Sequence, residues 1–156
     1  MLCAGIAGDT TGGLATDRLF RKTRNLALAR RSVLMAGFVG ALVFLAPVIL
    51  MHSLRVATVC LALAFFFAEL IVAPIWAVPM DIAPRYAGSA SGMMNFGFGV
   101  AGLISPASFG YLVDRTGSWV VPFLGSILLL LTGAILASRL RPDLPFTGPA
   151  QPGPRR

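Results

Sequence analysis

Four long apolar stretches dominate the pattern of hydrophobic and polar positions along this chain. They cover residues 32–54, 56–80, 87–113 and 116–138, and together they contain one ionised side chain, Glu69. A helix rises about 1.5 Å per residue, so about 20 apolar residues cross a hydrocarbon core about 30 Å thick. Because only helices and closed barrels satisfy their own backbone in lipid, the pattern predicts an all-α membrane protein with four transmembrane helices.

Three further segments flank this predicted bundle, which spans residues 32–141. Residues 1–16 are apolar and glycine-rich but lack the basic start of a signal peptide, so we expect the end of a truncated transmembrane helix. Residues 17–31 are expected to form a basic cytoplasmic loop. Residues 142–156 contain five prolines and few apolar residues, and are expected to form a disordered cytoplasmic tail.

The charge distribution predicts the orientation in the membrane. Hydrophobic residues make up 56% of the chain and charged residues 12%, against about 25% charged in soluble domains. With four crossings, eleven of the thirteen basic residues fall on one side. Because an excess of Lys and Arg marks the cytoplasmic face, we expect a multi-pass protein of the plasma (inner) membrane with its C-terminus in the cytoplasm. The net charge of +7 therefore indicates orientation rather than nucleic acid binding.

The strongest local motif lies in the first basic segment, where residues 13–22 follow the pattern G-x-x-x-D-R-x-x-R-K. Gly13 can let two helices approach closely at the membrane edge. Asp17 can accept hydrogen bonds from the N-terminus of a neighbouring helix. Arg18, Arg21 and Lys22 can pair with acidic groups or anionic lipid headgroups. A basic loop with an incidental Asp explains the same residues.

This decapeptide resembles the cytoplasmic loop motif of the major facilitator superfamily, G-x-x-x-D-R-x-G-R-K/R, and departs from it at Phe20, where the family usually has Gly. Residues 82–97 are similar to the region between helices ten and eleven of the anion:cation symporter branch. Residues 110–119 are similar to the outer turn before its last helix. The resemblance covers almost all of residues 5–140. It implies that the four spans are helices nine to twelve of a twelve-helix transporter, that residues 1–16 end helix eight, and that the first seven helices are absent.

The third span carries one stripe of small or polar residues at three- and four-residue steps. Its members are Ala87, Ser91, Asn95, Gly99, Gly102, Pro106 and Gly110. Close helix packing explains the glycines. The amide of Asn95 needs partners in hydrocarbon, and these are either another helix or a ligand. The resemblance implies that Asn95 faces the central cavity, so Asn95 and Ser91 are candidate substrate-binding residues.

Glu69 lies near the middle of the second span, where a charge costs about 2.5–3.5 kcal/mol on insertion scales. One interpretation is a titrating carboxylate that couples proton binding to substrate movement. The other is a protonated side chain that hydrogen-bonds to a neighbouring helix. The resemblance does not place the principal proton-coupling carboxylate of the family at this position.

Prolines within three of the spans are expected to kink their helices, because proline removes a backbone donor. They are Pro47, Pro74, Pro79 and Pro106. Kinks are compatible with rocking helices in alternating access and equally with a static bundle.

The functional prediction is part of a secondary-active transporter that takes up a small organic anion, such as a sugar acid, together with protons by alternating access. The expected partners are this anion, protons, the lipid bilayer and the missing N-terminal half, which must supply the basic groups that the four spans lack. The alternative is a non-transporting four-helix membrane protein that oligomerises or assists another complex. No cofactor, metal or nucleic acid is expected. An enzyme is not expected either, because no nucleophile–base pair, metal-ligand spacing or cofactor loop is present.

Overall fold

A computed structural model describes residues 2–51 and 53–140 of the chain. The regular secondary structure in these residues is helical. It comprises α1 (Leu2–Thr23), α2 (Leu26–Leu45), a 3₁₀ turn (Ala46–Leu50), α3 (Leu54–Glu69), α4 (Val72–Ile82), a second 3₁₀ turn (Pro84–Tyr86), α5 (Ala87–Thr116) and α6 (Val120–Arg139). The tail predicted for residues 142–156 lies outside the described residues.

Four helical segments are long and apolar enough to cross a membrane. They are Leu26–Leu50, Leu54–Ile82, Pro84–Thr116 and Val120–Arg139. Each coincides with one of the four predicted stretches to within six residues at either end. The prediction of an all-α membrane protein with four spans is therefore confirmed.

The first basic segment differs from the prediction because most of residues 17–31 is helical. Helix α1 continues from the apolar N-terminal region to Thr23, and α2 begins at Leu26. Only Arg24 and Asn25 connect them, and Arg24 adopts a left-handed conformation with φ 53°. The side-chain oxygen of Asn25 accepts a hydrogen bond of 2.9 Å from the backbone N–H of Leu28, so it caps α2. The sequence of this segment predicts a loop because its residues are charged, and hydropathy alone does not distinguish a charged helix from a loop.

The second span is broken into α3 and α4 at Leu70 and Ile71. The Ile71 N–H bonds the Ala68 carbonyl three residues back, at 3.3 Å, instead of the carbonyl four residues back. Pro74 has no N–H to donate to the Leu70 carbonyl, so the helical ladder is interrupted at this point. The helix is therefore interrupted near Pro74, and this interruption separates α3 from the short helix α4. Helix α4 continues through Pro79 and α5 through Pro106, so the kinks predicted at these two prolines stay predictions.

Helix α2 is the centre of the bundle and contacts α1, α3, α4 and α6. The core cluster joins Leu34 of α2, Ile71 at the break and Ala137 of α6. Met35, Phe38, Ile75 and Leu140 pack around these three residues. Burial of this apolar surface against the centre of α2 fixes α4 and α6 on its sides.

Helix α5 lies at the periphery, and its helical contacts among the described residues are with α4 and α6. None of its residues is buried. It ends at Gly117, whose positive φ of 63° and N–H bond to the Val113 carbonyl form a left-handed cap that glycine adopts without strain. The 30-residue helix therefore leaves most of its surface uncovered.

One ion pair joins two helices within the part of the chain that the structure describes. The guanidinium Nε of Arg30 donates to Oδ2 of Asp81 at 3.0 Å, and the two side chains are 16% and 19% exposed. Arg30 lies in the second turn of α2, and Asp81 is the penultimate residue of α4. The pair thus ties the far end of α4 to the start of α2, at the end of the bundle that carries Arg18, Arg21 and Lys22, which we call the basic end.

Candidate functional site

Glu69 is the last residue of α3 and lies directly before the break. Its side chain is half-buried against α1, at the level of two glycines. A Cβ added at Gly8 would lie 3.1 Å from Glu69 Cβ, and one added at Gly5 would lie 3.4 Å from Glu69 Cγ. The two glycines therefore leave the room in which the Glu69 side chain lies.

A second carboxylate, that of Asp9, reaches the same place from α1. Asp9 and Glu69 line a cavity of about 220 Å³ together with Leu2, Gly5, Ile6 and Phe65. No basic side chain lines this cavity. Two acidic groups from different helices thus share one opening between α1 and α3, and we call it the carboxylate cavity.

Asp9 was not among the candidate residues predicted from the sequence. The sequence feature that could have identified Asp9 is its charge within the apolar stretch 1–16. Asp9 lies eight residues before Asp17, which places it about 12 Å from Asp17 along the helix axis. Which face of α1 Asp9 occupies depends on the packing of α1 on α3, which the sequence of α1 alone does not determine.

The face that α1 turns to α3 is made of small residues. Gly5, Gly8, Gly12 and Thr16 are the buried residues of α1. A Cβ added at Gly8 would overlap the carbonyl oxygen of Phe66, and one added at Gly12 would overlap that of Leu70. The backbone of α1 therefore lies directly on the backbone of α3 and of the break, as small residues permit in membrane helices.

The motif of residues 13–22 has a different geometry from the one expected. A Cβ added at Gly13 would lie 3.6 Å from Ala73 Cβ, which is ordinary contact, so the close approach falls on Gly12 instead. Asp17, Arg18, Arg21 and Lys22 are exposed on the last turns of α1. The basic partner of an acidic group at this end is Arg30, outside the motif.

The two candidate substrate-binding residues lie on α5. Asn95 is exposed and Ser91 is half-buried. Three residues beyond Asn95, the ring of Phe98 stacks on Trp76 of α4 with 5.7 Å between the ring centroids. Since α5 contacts α4 and α6 but not α1 or α3, the structure does not bring Asn95 and Glu69 together.

Two further cavities have few polar groups on their lining. One of about 300 Å³ between α2, α3 and α6 is lined by apolar side chains, including Leu45 and Phe65. Another of about 400 Å³ between α5 and α6 adds the hydroxyls of Ser105, Ser108 and Ser126. Residues 2–51 and 53–140 contain no group of three or more His, Cys, Asp or Glu side chains that could hold a metal ion. Of these three cavities, the carboxylate cavity is the one that ionisable side chains line.

Comparison with known proteins places these features in a family. Residues 3–156 match the Major Facilitator Superfamily. The chain is 49% identical over 148 residues to the "Probable sulfoacetate transporter SauU" of Cupriavidus necator, which covers 95% of this chain and 34% of that protein. It is 33% identical to the "Hexuronate transporter" of Bacillus subtilis over 86% of this chain and 32% of that protein. It is 30% identical to the "Probable galactarate/D-glucarate transporter GudP" of Escherichia coli over 85% of this chain and 28% of that protein.

The chain therefore spans about a third of the length of each of these three relatives. No solved structure matches it.

Proposed function

Because the chain belongs to the major facilitator superfamily, we propose that it forms part of a secondary-active transporter that moves a small organic anion across the membrane. The observation that carries this proposal is the 49% identity to a probable sulfoacetate transporter over 95% of the chain. Other relatives are named for hexuronate and for galactarate or D-glucarate. These compounds share a small, polar, acidic character, so we propose a substrate of that class and transport rather than catalysis.

We propose that the missing wall of the substrate cavity comes from a part of the transporter outside this chain. The three relatives named above are about three times longer than the chain, and none of the residues of α5 is buried. Asn95 and Ser91 lie on this helix, where an amide and a hydroxyl can bind the oxygens of an anion. Alternating access would then expose them to one side of the membrane and then to the other.

Proton coupling is proposed for the carboxylate cavity. Glu69 and Asp9 both line the cavity between α1 and α3, and no basic side chain is among its lining residues. A carboxylate within a membrane span is by default a functional candidate, which supports Glu69 as the coupling residue and adds Asp9 as its partner.

The orientation proposed is the one that the basic residues predict. The basic end of the bundle faces the cytoplasm, the C-terminus lies on the same side, and the membrane is the plasma (inner) membrane. In this orientation, the substrate anion moves between the external medium and the cytoplasm.

A non-transporting membrane protein remains the alternative, and one observation favours it. The described helices form a bundle around α2 with its own core, so the chain has internal packing without the rest of a transporter. In this case the uncovered face of α5 would bind another membrane protein or a second copy of the chain.

Uptake by a chimera separates the two functions. This chain replaces the 148 matched residues of the Cupriavidus necator relative, and the purified chimera is reconstituted in liposomes. We expect gradient-driven uptake of at least one of sulfoacetate, a hexuronate or glucarate. The unmodified relative is the positive control, and the 156-residue chain alone is the third sample.

A chimera that inserts and stays monodisperse but takes up none of the anions that the relative takes up would contradict the proposal. Uptake by the chimera that is the same with and without a proton gradient would retain the transporter and remove the proton coupling.

A further inference from the structure

We draw no further inference here: the strongest candidate, the carboxylate cavity between α1 and α3, belongs to the site for which proton coupling is already proposed, and no buried polar side chain without a hydrogen-bond partner among residues 2–51 and 53–140 points to a second ligand there.

Discussion

At Glu69 and Asp9, an amide substitution tests proton coupling, because it removes the ionisable group and keeps the size of the side chain. If Glu69 carries the proton, Glu69→Gln keeps the shape of the side chain and removes its titration. We expect gradient-driven uptake by the chimera to fall by about tenfold or more, equivalent to about 1.4 kcal/mol or more. Uptake is measured with and without a proton gradient, in parallel with Asp9→Asn.

Asp114→Asn is the control for this prediction, because Asp114 is an exposed carboxylate in the last turn of α5, remote from the carboxylate cavity. If Glu69→Gln and Asp9→Asn transport as well as Asp114→Asn, with the same response to the gradient, the carboxylate cavity has no part in coupling.

At the scale of helices, the packing of α1 on α3 and the break requires glycine at position 12 but not at position 13. An added methyl group at Gly12 would overlap the Leu70 carbonyl, so α1 must move away from the break in Gly12→Ala. Overpacking of this kind costs about 1–3 kcal/mol. We expect Gly12→Ala to lower the thermal unfolding midpoint of the chain in detergent, followed by tryptophan fluorescence.

Gly13→Ala is the matched variant, because its methyl group would be in ordinary contact with Ala73. Alanine also favours a helix by up to about 1 kcal/mol relative to glycine, so the midpoint should stay or rise. Equal losses in the two variants would mean that α1 does not lie on α3 as described.

The spans could be predicted from the sequence, whereas the contacts between them could not. A run of apolar residues long enough to cross a bilayer is a property of one segment, and so is the interruption of the helix near Pro74. The pairing of Arg30 with Asp81 and the meeting of Asp9 with Glu69 depend on which faces of different helices are apposed. The same holds for Gly12 and Gly13. The sequence allows a close helix contact at either glycine, and only the rotation of α1 about its axis determines that the contact falls on Gly12.

At the scale of the whole molecule, the distribution of basic residues determines a testable orientation. Lys22 lies at the basic end, and Arg55 is exposed at the start of α3, at the opposite end. In a cysteine-free background in intact cells, we expect a membrane-impermeant maleimide to label Arg55→Cys and to leave Lys22→Cys unlabelled. Both should react once the membrane is permeabilised, which controls for accessibility. Labelling of Lys22→Cys from outside would reverse the proposed orientation.

The two helices differ in how well they tolerate mutation where the backbone of α1 lies on the backbone of α3 and of the break. Gly8 and Gly12 meet the carbonyl oxygens of Phe66 and Leu70, which every amino acid possesses, rather than their side chains. Substitutions at Phe66 or Leu70 therefore leave the main-chain contact in place, while almost any substitution at the two glycines removes it. In a library of random variants, we therefore expect Gly8 and Gly12 to tolerate fewer replacements than Phe66.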